Sequence, residues 1–162
     1  MNNLIGSDIG LIHLLSSLLA IVTGTIVILA GKGTKFHKRL GYVYVFSILL
    51  LNITAFMTCR LFGTFGIFHY AAIASSLTLL GGMIPAIKRT NKGWIYRHFS
   101  FMYWSVIGLY AAFVSETLTR IPETPFFGMV GIATAIITLI GTLFFIKYKK
   151  TWRTQFAKLT QP

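Results

Sequence analysis

Five long apolar stretches alternate with short polar breaks along the chain. They cover roughly residues 9–30, 40–62, 67–87, 98–118 and 126–146. Each reaches the about 20 residues that a helix needs to cross a hydrocarbon core. The pattern predicts five membrane-spanning helices and leaves no room for a soluble domain. Pro122 and Pro125 fall in the last break. Pro85 follows Gly81 and Gly82 near the end of the third stretch, which predicts a kink or an early helix end there. No low-complexity segment or long-period repeat interrupts the pattern. One echo recurs at 35–46 and 97–104: a basic stretch, a histidine, then an aromatic-rich run.

Charge gives these helices a direction. Lys32, Lys35, Lys38 and Arg39 follow the first stretch, and Lys88, Arg89, Lys92 and Arg97 follow the third. Lys147, Lys149, Lys150, Arg153 and Lys158 follow the fifth, leaving only Arg60 and Arg120 for the other side. A split of 13 against 2 puts the N-terminus outside and the C-terminus in the cytoplasm by the positive-inside rule. Asp8, Glu116 and Glu123 then all face outward. The first stretch lacks a basic n-region and a cleavage site, so it is expected to remain as a helix.

Composition agrees with a membrane protein and excludes a soluble one. Of 162 residues, 55% are hydrophobic and 11% charged, against roughly 25% charged in soluble domains. The net charge of +12 sits at span ends, where topology accounts for it, so nucleic acid is not an expected partner. The lipid bilayer is. One cysteine, Cys59, excludes an intrachain disulfide and a CxxC metal site. The expected fold is all-α and polytopic: a four-helix up-down core plus one supporting helix in a bacterial inner (plasma) membrane. Residues 1–146 form a single transmembrane domain, and 147–162 a basic cytoplasmic tail along the anionic inner leaflet.

Four histidines carry the candidate chemistry, one near the start of each of the first four helices. Given the predicted directions, His13 and His69 lie toward the outer face, and His37 and His98 toward the cytoplasmic face. In an up-down bundle, helices 1 and 3 are diagonal, as are 2 and 4. Each pair is then expected to face itself across the bundle, an arrangement suited to bis-imidazole ligation of haem iron. Small residues follow on the same faces: Ser16, Ser17 and Ala20 after His13, Gly41 after His37, Ala72 and Ser76 after His69, and Ser105 after His98. The alternative is that four interfacial histidines bond backbone carbonyls and serve structure alone.

Other polar residues add an outer cluster. Glu116 and Arg120 have the i,i+4 spacing of an ion pair, and Arg60 and Asp8 fall on the same side. With His13 and His69, Asp8 or Glu116 would supply ligands for an outer zinc site, although no HExxH spacing occurs. Asn52, Thr54, Ser75, Ser76 and Thr78 read as helix–helix glue. Gly128, Gly131 and Gly141 predict close packing of the fifth helix. The aromatic run 99–105 reads as an interface belt and packing surface.

The segments HKRLGYVYVFSILLLNITAF, RLFGTFGIFHYAAIASSLTLLGG and RHFSFMYWSVIGLYAAFVSETLTRIP resemble an uncharacterised prokaryotic integral membrane family, known only as a domain of unknown function. Its marks here are H-K-R-x-G at 37–41 and E-x-x-x-R at 116–120. The architecture is also similar to transmembrane di-haem cytochromes b, such as ascorbate-dependent ferric reductases. That similarity implies two b-type haems, with His13 and His69 on the outer one and His37 and His98 on the inner one. Electrons would pass from a cytoplasmic or quinol donor to an outer acceptor. A non-redox membrane protein (an accessory or assembly subunit, or a small transporter) and an outer-face zinc hydrolase stay open beside it.

Overall fold

In the computed structural model, which describes residues 8–57, 65–89, 93–121 and 125–159, the chain forms five helices. Among the described residues there is no strand. The helices are α1 (Asp8–Leu29), α2 (Lys35–Met57), α3 (Ile67–Lys88), α4 (Trp94–Leu118) and α5 (Phe126–Leu159). All five are long and apolar enough to cross a membrane. Arg60, Cys59, Lys92, Pro122 and Glu123 lie outside the described residues.

The helix ends differ from the hydropathy boundaries for local reasons. Lys32 Nζ donates to the carbonyls of Val27 and Ile28, closing the C-terminus of α1. Gly33 then takes a left-handed φ of 81°, which a glycine adopts without a side-chain clash. Thr34 follows as the N-cap of α2, its Oγ1 accepting from His37 N at 3.1 Å. The cap starts α2 at Lys35, five residues before the apolar run, so the basic stretch is helical. Likewise α4 begins at Trp94 rather than at 98.

α3 does not stop at Pro85. It runs to Lys88 and ends where Arg89 takes a φ of 48°. A proline so close to the end removes only the bond to the carbonyl four residues back. The largest difference is α5, which continues unbroken for 34 residues to Leu159. The segment 147–159 is thus helical and continuous with the fifth span.

Two compact units divide within α3, at residues 76 and 77. In the first, α1 packs on α2 through small residues: Ser16, Ser17, Ala20, Thr23, Gly24 and Val27 are buried on α1. Asn52 Nδ2 ties α2 to α3, donating to Ser75 Oγ at 3.3 Å and Ser76 Oγ at 2.9 Å. In the second, α4 packs on α5. Tyr103 donates its hydroxyl to the Gly141 carbonyl at 2.8 Å. A Cβ on Gly141 would stand 2.8 Å from Ile107, so close packing holds there. It does not hold at Gly131, where a Cβ would meet nothing within 4 Å.

Burial is arranged for lipid. Leu15, Leu77, Ile136 and Leu139 are exposed, while Ser47, Asn52, Thr54, Ser105 and Ser115 are buried. Helices in hydrocarbon gain nothing by hiding leucine, so small and polar residues take the contacts between them.

Candidate functional site

The histidines are fixed by different backbone and side-chain groups, and those groups decide each ring's chemistry. On α1, His13 Nδ1 lies 3.0 Å from Thr54 Oγ1 of α2. The Thr54 hydroxyl bonds the Leu50 and Leu51 carbonyls, both at 2.9 Å. With its proton on either of these carbonyls, the Thr54 oxygen accepts and His13 donates from Nδ1. On α4, His98 Nδ1 lies 2.8 Å from the Gly82 carbonyl of α3. A carbonyl can only accept, so Nδ1 carries the proton here too. In the neutral form of both rings the lone pair then belongs to Nε2. An imidazole that ligates metal through Nε2 is oriented by this kind of Nδ1–H bond.

His69 is held the opposite way. The Gly66 N–H donates to His69 Nδ1 at 2.9 Å, while His69 N donates to the Gly66 carbonyl at 3.0 Å. The first bond is one half of a capping box, with histidine in place of Glu or Gln at the third helical position, and the second is a backbone turn bond because Gly66 has no side chain. Accepting at Nδ1 makes the ring neutral and puts its proton on Nε2. Both nitrogens are then unsuited to ligate iron. The ring is buried, stacked on Phe65 at 4.5 Å and tilted against Phe56 at 6.1 Å.

His13 and His69 also sit on different sides of α2. His13 bonds Thr54, whereas His69 packs on Phe56, two residues on and about 200° around the helix. Asn52 shares the Phe56 face and bonds α3. The helix α2 therefore stands between His13 and His69, and the two rings do not face each other as an axial pair. The small residues after His13 are not open space either, since Ser16, Ser17 and Ala20 are consumed in helix packing. At His37 the expected room is present: a Cβ on Gly41, one turn along, would meet nothing within 4 Å.

The seat of His98 depends on two glycines. A Cβ on Gly81 would come 2.6 Å from the Phe101 ring, and one on Gly82 would come 2.6 Å from Met102 Sδ. Only bare backbone lets α4 approach closely enough for His98 to reach the Gly82 carbonyl. The sequence pairs these glycines with Pro85 but gives no sign of their partner.

Outside the histidines, Glu116 and Arg120 form the expected i,i+4 pair at 2.5 Å. Asp8 is exposed in the first turn of α1, where its charge complements the helix dipole. Among the described residues no three His, Cys, Asp or Glu side chains gather as a metal-holding group. The aromatic run on α4 is a packing surface. Phe99 meets Trp152 at 4.6 Å and Phe156 at 5.1 Å, and Tyr103 meets Phe145 at 5.3 Å.

A family model described as Predicted membrane protein (DUF2306) matches residues 10–148. The chain belongs to that family. The match takes in α2, α3 and α4 of this DUF2306 member and most of α1 and α5, with all four histidines and the Glu116–Arg120 pair. It ends on α5 before Lys149. No match was found among curated proteins or among solved structures.

Proposed function

We propose that this membrane protein is an electron carrier of cytochrome b type, in which His98 and His13 each ligate the iron of a b-type haem. The observation that carries the reading is the His98 Nδ1–Gly82 carbonyl bond at 2.8 Å, which directs the lone pair to Nε2. With the Thr54 proton on the Leu50 or Leu51 carbonyl, His13 has the same polarity. Bound haem supplies one-electron transfer, and its potential is set by the axial ligands and their hydrogen bonds. His98 and His13 would each hold and orient one such group. His69 does not fit as a second outer ligand while it caps α3. The basic clusters support an orientation with the N-terminal side outside and the C-terminal side in the cytoplasm of a bacterial plasma membrane. A quinol or a cytoplasmic reductase is the donor that this orientation suits.

The test is an absorbance spectrum and pyridine haemochrome assay on the full chain, expressed with haem precursor and purified in detergent. A Soret band that is reduced in His98→Ala and in His13→Ala, and lost in the double variant, supports the reading. Its absence in the unaltered protein overturns it. The capped, ring-stacked state of His69 favours a second reading, a non-redox membrane protein with structural histidines. That reading predicts no pigment in any variant.

A further inference from the structure

The basic end of the second unit is built like the complement of a phospholipid. Along the outer face of α5, Leu139, Leu143 and Ile146 are exposed, and Lys147, Lys150 and Arg153 are exposed directly after them. The spacing Leu139, Leu143, Lys147 is four residues each time, as is Ile146 to Lys150, so apolar and cationic positions form continuous stripes on one helix. Acyl chains match the first half of each stripe and an anionic headgroup the second.

This cationic end is held in place by packing. Trp152 and Phe156 lie against Phe99 of α4. The Arg153 guanidinium sits 4.8 Å above the Tyr96 ring, and Lys147 Nζ sits 5.4 Å from the Tyr148 ring. At the end of α3, Arg89 lies 5.2 Å over Trp94. Such aromatic rings sit at headgroup depth in membrane proteins. The chain's three acids are Asp8, Glu116 and Glu123, so none lies in this part of the sequence to neutralise the cations. An anion from outside the chain would supply their counter-charge. Nucleic acid would meet the cations but leave the apolar half of each stripe unmatched.

From this arrangement we infer that the exterior of α5 around Lys147, Lys150 and Arg153 binds the headgroup of an anionic phospholipid, with its acyl chains along Leu139, Leu143 and Ile146. Each cation near a charged lipid surface contributes on the order of 1 kcal/mol, or about fivefold in binding.

Two of the chain's three tryptophans, Trp94 and Trp152, lie at this end, which supplies the readout. The full chain is reconstituted in phosphatidylcholine bilayers containing brominated phosphatidylglycerol or, at equal mole fraction, brominated phosphatidylcholine. Tryptophan quenching should favour the anionic lipid, and high salt should reduce the preference. Lys150→Ala should weaken it about fivefold, and Lys147→Gln/Lys150→Gln further. Helix content and melting in pure phosphatidylcholine confirm that each variant is folded. Equal quenching by both lipids, or an unchanged preference in the folded double variant, overturns the inference.

Discussion

His69 and His98 are the same side chain, each in an early turn of its helix and each bonded through Nδ1 to a backbone group. One accepts from the Gly66 N–H and the other donates to the Gly82 carbonyl. That single reversal moves the lone pair from Nδ1 to Nε2. It makes His69 part of a helix cap and puts the lone pair of a neutral His98 ring on Nε2. The position of a histidine along a span therefore does not fix its chemistry. The polarity of the nearest backbone group does.

The largest disturbance to this contrast is expected from Gly82→Val. Its Cβ would fall 2.6 Å from Met102 Sδ and 3.3 Å from Phe101 Cβ, so α4 must move away and His98 loses its acceptor. Overpacking of this kind costs about 2 kcal/mol or more. Thermal unfolding in detergent should show it, together with a reduced Soret band.

At His69 the expected effect is smaller and depends on the replacement. His69→Ala removes the cap and the stacked ring, at about 2 kcal/mol. Glutamine at this position can still accept from the Gly66 N–H, so His69→Gln should remain within about 1 kcal/mol of the parent. His98→Gln should leave helix content intact yet lower the pigment by the share bound at His98. If His69→Gln lowered the pigment as well, the contrast between the two rings would fail.

Lys32 extends the comparison to a group whose protonation is governed by burial. Desolvation pulls its ammonium down to about 8 from the usual 10.5, although it donates to carbonyls at the C-terminal end of α1. Between these values the unfolded chain binds more protons than the folded one, so stability should rise as pH goes from about 8 to about 10.5. Chemical denaturation across that window should show the slope in the parent and a flatter profile in Lys32→Met.

The five spans were legible because lipid leaves a strong mark: long apolar runs, with cations confined to their ends. Where hydropathy misjudged a boundary, a cap or an aromatic face had decided it. Thr34 starts α2 among basic residues that a hydropathy average excludes. The extension of α5 was visible only as a period. Phe145, Tyr148, Trp152 and Phe156 repeat at three and four residues and so share one helical face, which charges at intervening positions obscure. The histidines and the Glu116–Arg120 pair were legible as candidates. Their hydrogen-bond polarity was not, because it depends on which backbone group another helix presents. The opposed placement of His13 and His69 on α2 follows from Thr54 and Phe56 choosing different neighbours, which spacing alone does not reveal.

The unbroken course of α5 also makes it a handle. A helix of 34 residues is about 51 Å long, against about 30 Å of hydrocarbon. A soluble partner grafted in helical register beyond Ala157 would inherit a fixed direction from the packed ring of Phe156. Small membrane proteins give electron microscopy few features to align, and a rigid fusion at this point would supply one without touching any of the four histidines.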